Sequence, residues 1–244
     1  MAKKNGKAVE KKAPTEITPA EAADLFSLKE NMAGIEPRFP QIAIAHSAQI
    51  FVMPDNTKVD HIDCIILDMN RANAYWEAVF AGGGTPPDCF SIDGITPDMS
   101  SDKLQAQTCQ ECEQNKFGTD KKGRGKACKN MKRVHVLMPN EMLPYRITLP
   151  PSSIKSVDTY VSLLTSGGTP YQLMNTRISL KQSTNNDGIE YAEAVFEKIS
   201  AVTDQMQATK LKEQWDRWKD SLRGQEILSG ELGGEVNEAD EPPM

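Results

Sequence analysis

Four cysteines fall within 40 residues of this chain, at Cys89, Cys109, Cys112 and Cys128. The inner pair reads Cys109-Gln-Glu-Cys112. Two thiolates on one tight turn supply half of a tetrahedral zinc shell, and the outer two can close it from separate strands or loops. Four thiolates leave no open position, so the chemistry expected of such a Zn2+ site is structural. An iron–sulfur cluster also takes four cysteines, and unliganded core cysteines are the plain alternative. Cys64, inside the apolar run Cys64-Ile65-Ile66-Leu67, reads as a small buried hydrophobe.

A second constellation overlaps the first. Between Glu113 and Arg133 lie Lys116, Lys121, Lys122, Arg124, Lys126, Lys129, Lys132 and Arg133, opposed only by Glu113 and Asp120, for a local charge of +6. A solvated loop is the ordinary reading of such a run. A metal-pinned loop of that charge instead suits a polyanion, because phosphate contacts give affinity for nucleic acid without regard to sequence. Single strands also need aromatic platforms. Phe90, Phe117, Tyr145 and Tyr171 lie near basic residues, and Phe117 and Tyr145 join the candidate nucleic-acid set. The plain reading of each aromatic is a core residue.

No catalytic residues are expected. His46, Asp60, His61, Asp63 and Asp68 form a loose group of the type a metal-dependent nuclease uses, without diagnostic spacing. Gly82-Gly83-Gly84 lacks the Lys-Ser/Thr of a phosphate cradle, and neither Gly-x-Ser-x-Gly nor His-Glu-x-x-His occurs.

The elements that must position these residues follow from composition and periodicity. Mean hydropathy is −0.50 and 39 % of the 244 residues are hydrophobic, which is low for a fully packed globule and predicts unstructured ends. The net charge of −6 is polarised: residues 1–12 carry five lysines and one glutamate, and residues 224–244 carry six acids and no base. A basic patch on an otherwise acidic chain marks a directed binding face. No apolar run reaches the length of a membrane span. The charged start lacks the apolar stretch of a secretory signal. A reducing cytoplasm is therefore expected, where metal is a better reading of the cysteines than disulfides.

Three parts are predicted: a disordered basic N-terminus over 1–16, a core over 17–222, and a disordered acidic tail over 223–244. A helix is expected from the capping box Thr18-Pro19-Ala20-Glu21 to Gly34. Strands are expected within 41–53 and over 61–69, 133–138, 145–149, 171–181 and 189–199, with 72–80 open between strand and helix. A helix bearing Ile154, Val157, Val161 and Leu164 should follow Pro150-Pro151. A last helix over 203–222 should carry Met206, Leu211, Trp215, Trp218 and Leu222 near one face. The two tryptophans should pack on the core, with partner binding as the sharper alternative. The tail can compete with phosphate for the basic site or recruit other proteins. Mainly β content, flanking helices and a metal loop inserted over 89–128 predict an OB-like antiparallel barrel.

The stretches Pro86-Pro87-Asp88-Cys89, Cys109-x-x-Cys112, Gly125-Lys126-Ala127-Cys128-Lys129-Asn130-Met131 and Leu149-Pro150-Pro151-Ser152 resemble a group of uncharacterised phage and prophage proteins, over about residues 39–165. More loosely, the layout is similar to the zinc-containing single-stranded DNA-binding proteins of tailed phages and to the zinc-bearing OB domain of the replication protein A large subunit. The phage proteins use one histidine and three cysteines where this chain has four cysteines. That resemblance implies a non-enzymatic single-stranded DNA-binding protein of phage replication or recombination, in the cytoplasm of a bacterial host. The alternatives are a zinc-ribbon adaptor that binds replication or transcription proteins, and a metal-dependent nuclease subunit.

Overall fold

The computed structural model describes residues 34–35, 38–77, 86–184, 190–225 and 227. The expected helix over 18–33, the basic N-terminus and the acidic segment from 228 onward lie outside the described residues. The described fold is mainly β, a curled mixed sheet forming a half-barrel with two helices.

Among the described residues nine strands make the sheet. They are β1 (Gln41–Ala45), β2 (Ile50–Val52), β3 (Lys58–Val59), β4 (His61–Tyr75), β5 (Cys89–Ser91), β6 (Lys129–Leu137), β7 (Tyr145–Leu149), β8 (Met174–Thr184) and β9 (Glu190–Ala201). Helix α1 (Pro151–Ser166) separates β7 from β8, and α2 (Gln205–Arg223) follows β9. The order is β3-β2-β1-β7-β6-β4-β8-β9, with β5 added to β4. The expectation of a purely antiparallel sheet is corrected at one place: β1 and β7 are parallel, Gln41 opposite Arg146. The two strands are about a hundred residues apart, a separation at which no turn dictates direction.

β4 organises the sheet. Its first half pairs β8 from His61 to Ile65, and its second half pairs β6 from Ile65 to Ala74. A bulge between Ile66 and Asp68 shifts the register, and bulges bend and twist a strand. Residues 72–75 are thus strand, continuing across the polar pair Asn70-Arg71. β5 then takes the β4 edge beyond β8, with Cys89 opposite Tyr75.

The faces of the sheet have different chemistry. On one, Ile62, Cys64, Ile66, Val134, Val136, Ile147 and Leu149 pack with Val157, Tyr160 and Leu164 of α1. Pro151 starts α1 at a position where its missing amide costs nothing, and Gly168, at φ +71°, follows its end. The buried stripe is Ser153, Val157, Tyr160 and Leu164, while Ile154 and Val161 are only partly buried. Tyr160 takes the place expected of Val161 because its hydroxyl hydrogen-bonds Thr176 at 2.7 Å.

Period-2 alternation turns Arg133 and His135 of β6 to the opposite face. There α2 buries Leu211, Gln214, Trp218 and Leu222, and Asp204 caps the helix by accepting from the Gln207 amide at 2.7 Å. Trp218 meets Phe39 edge-on at 5.7 Å. Met206 is exposed instead of packed, since it lies in the first turn, before α2 reaches the sheet at Leu211. Arg223 grips buried Asp68 with two 2.7 Å bonds. Arg133 donates to the Gln225 carbonyl at 2.6 Å and Arg146 to the Gln225 side chain at 3.0 Å. Ile227 packs on Ala72, Ala74, Phe90 and Met131. Among the described residues, packing on this face continues after α2 through Gln225 and Ile227.

His135 sits in this polar face with no solvent exposure, its Nε2 3.1 Å from Asn70 Oδ1. Burial, then the charges of Arg146, Arg133 and Arg223, hold its pKa down at about 3. Below pH 6.5 the unfolded chain binds a proton here that the folded chain refuses, so stability falls as pH drops from 6.5 toward 3. At roughly 1.4 kcal/mol per pH unit, the loss at pH 5 is about 2 kcal/mol. Urea denaturation at pH 7 and pH 5 should show the difference between those pH values shrinking by that amount in His135→Gln. Equal differences in both proteins would remove His135 from the acid response.

Candidate metal centre and basic loop

The segment between β5 and β6 carries both constellations. Across residues 92–127 only Pro97, Cys109, Cys112 and Gly125 are buried. A segment of that length cannot hold itself together by burying apolar surface. Its order comes from hydrogen bonds, and those bonds assemble the cysteines. Asp93 Oδ1 accepts from the amides of Ile95 and Thr96 and from the Ser91 hydroxyl, at 2.7, 2.9 and 2.8 Å. Gly94, at φ +71°, lets this turn lie on β4, because a Cβ there would come within 2.8 Å of the Arg71 Cβ. The Cys109 amide donates to the Ile95 carbonyl at 2.8 Å. After Cys112 a 3-10 turn, Glu113–Asn115, folds back so that Asn115 donates to the Cys109 carbonyl at 2.7 Å. The Cys128 amide donates to the Gln114 carbonyl at 2.8 Å. Cys89 is placed independently by its pairing with Tyr75.

All four cysteines, free and buried, line one small cavity. Its volume of about 10 Å³ is close to one water-sized sphere, a size that suits a single ion. Among the described residues, no three His, Cys, Asp or Glu side chains are drawn tightly enough together to form a metal-binding group. The fold brings four cysteines to one cavity, and no coordination shell is closed among the described residues. Burial, then repulsion from the neighbouring sulfurs, pushes the Cys128 thiol up to about 12, and burial raises Cys89. Cys64 lies apart in the α1 core, its thiol also raised by burial.

The basic tip is closed by backbone. The amides of Gly118, Thr119 and Asp120 converge on the Gly125 carbonyl at 2.8, 3.1 and 3.3 Å. Gly123 makes the turn at φ +70°. The Asp120 carboxylate accepts from the Arg124 amide at 2.6 Å, and its backbone hydrogen bonds outweigh burial to hold it below the usual range. Lys121, Lys122 and Arg124 project from this turn, all exposed. Lys116 is paired with Glu113. Lys126 lies 5.1 Å from the centre of the exposed Phe117 ring and donates to Asn130 at 3.0 Å.

Not every residue of the expected set joins the loop. Lys129, Lys132 and Arg133 belong to β6. Lys132 points to the α1 face, where it pairs with Asp158. Arg133 has no exposed surface and points to the α2 face. Tyr145 pairs with Val136, seven positions along β6 from Lys129, roughly 23 Å at 3.3 Å per residue.

Sequence reasoning missed the partner of this loop. Phe117, Lys126 and Lys129 face Ile154, Lys155, Thr159 and Leu163 of α1 across a groove of about 850 Å³. The only sequence signal was Leu163, an apolar residue of the helix outside the expected stripe of Ile154, Val157, Val161 and Leu164. The loose His/Asp group is not assembled: His61 pairs with Asp60, Asp63 with Arg177 and Asp68 with Arg223. Among the described residues, no helix is long and apolar enough to cross a membrane. No family model, curated protein or solved structure matches the chain.

Proposed function

We propose that this protein is a non-enzymatic single-stranded DNA-binding protein whose basic loop is pinned by a structural zinc ion. The observation that carries the reading is a backbone-closed turn presenting Lys121, Lys122 and Arg124 to solvent beside Phe117 and Lys126. Charges fixed in this way meet phosphates without first ordering a chain. Cys89, Cys109, Cys112 and Cys128 would hold the zinc. Bound there, the ion supplies the cross-link that the weakly buried segment 92–127 lacks. The curled sheet, with α1 between β7 and β8, supports a distant OB-like ancestry. A phage replication or recombination role in the host cytoplasm is part of the same proposal. Replication or recombination proteins would dock on the acidic tail.

The test is a titration of labelled oligothymidylate and of a duplex of equal length at 50 and 200 mM salt. Single-strand binding should weaken steeply with salt, since each phosphate contact releases a counterion. Absence of salt-dependent binding overturns the reading and leaves the zinc-ribbon adaptor. Metal-dependent degradation of the oligonucleotide would establish the nuclease subunit, for which the pairing of Asp63 and Asp68 with arginines gives no support.

A further inference from the structure

We propose that the groove between the basic loop and α1 is a stacking site for unpaired nucleobases. The inference rests on the single-stranded DNA reading and adds where, and by what forces, the bases are held. The wall on the loop side is Phe117, a residue 58 % exposed. The wall on the helix side is Ile154 and Leu163, and Leu163 is 58 % exposed although α1 already has a full core stripe. Apolar surface on both sides of an open groove needs an apolar occupant, and its charges select which one. Lys126, Lys129 and Lys155 line the same groove. Its one acid, Asp158, is taken by Lys132. Lys155 makes no ion pair among the described residues. The occupant must therefore be flat or apolar in part and anionic in part, which describes a nucleotide strand with its bases splayed out.

The lysine over Phe117 strengthens the match. Lys126 sits 5.1 Å from the ring centre, so a cation and an aromatic surface stand side by side in the groove, the pair that a nucleotide's phosphate and base require. The groove volume of about 850 Å³ lies in the range of ligand sites. A duplex keeps its base faces stacked inside the helix, so only a single strand can use these apolar walls. The loop tip would hold phosphates of either form, while the groove would discriminate between them.

The experiment compares a twelve-nucleotide oligothymidylate with a twelve-nucleotide abasic strand of the same charge, by fluorescence anisotropy at fixed salt. Stacking contributes about five- to 150-fold per base, so the wild-type protein should favour the thymidylate by at least that lower figure. Phe117→Ala and, separately, Leu163→Gln should bring the ratio of the two affinities toward one. Both residues are exposed, and an unchanged thermal midpoint will show that each variant is folded. Equal wild-type affinity for both strands would overturn the stacking site while leaving a charge-only DNA-binding protein. A preference that survives both substitutions would place the bases elsewhere. Binding to neither strand would overturn the underlying reading itself.

Discussion

Replacing Cys112 with serine should strip the chain of its metal and unfold the segment between β5 and β6, while the sheet remains. The wild-type protein should carry one zinc per chain by elemental analysis. The size of the effect follows from how little else supports the segment. Residues 92–127 bury only two cysteines, one proline and one glycine. Each hydrogen bond that shapes it nets about 1 kcal/mol, whereas a structural zinc supplies about 10–16 kcal/mol of apparent binding energy at neutral pH. Losing one ligand therefore removes the largest favourable contribution to that segment. The α1 face does not depend on it, because its cluster draws on β1, β2, β4 and β6 to β9. Limited trypsin digestion should read this directly, cutting the variant first at Lys116 to Arg124 and leaving a folded remainder. A protein with no zinc, a brown iron-containing protein, or a variant as resistant as the wild type would each refute the metal assignment.

The parts of the fold that were legible from sequence are those whose packing is local and periodic. α1, α2 and the β8–β9 hairpin all emerged from apolar spacing, because each buries one stripe or face against one neighbour. The β4 continuation and the start of β6 were hidden by charge. Lys129, Asn130 and Lys132 read as loop, yet all lie in β6 beside the expected strand from Arg133. Lys132 is accommodated by Asp158, 26 residues later, and Arg133 by Gln225, 92 residues later. No window on the sequence contains those partners. The same limit explains why Tyr145 was grouped with the loop, and why α1 was not recognised as its opposite wall. The cysteines stand out in the sequence because a Cys-x2-Cys turn with two flanking cysteines is a pattern of metal-ligand type. In the fold the four line one cavity.

Neutralising the loop tip as Lys121→Gln, Lys122→Gln and Arg124→Gln should weaken binding to single-stranded DNA by about a hundredfold at 0.1 M salt. For single strands each neutralised phosphate contributes a slope of about 0.7 in log affinity against log salt. Three contacts remove about 2 from the slope. With the counterion contribution taken as lost near 1 M salt, they remove about two decades of affinity at one-tenth of that concentration. The difference between variant and wild type should close as salt rises, since the missing interaction is one that salt screens. Stability should not follow affinity. The turn is held by the Gly125 carbonyl and by Asp120, which accepts from the backbone amide that glutamine at 124 would still provide. Lys126 is left in place because it packs over Phe117 and bonds Asn130, so its loss would confuse charge with structure. An unchanged salt slope would mean that the tip faces away from the strand. A parallel downward shift at every salt concentration would mean that these side chains act by shape and not by charge.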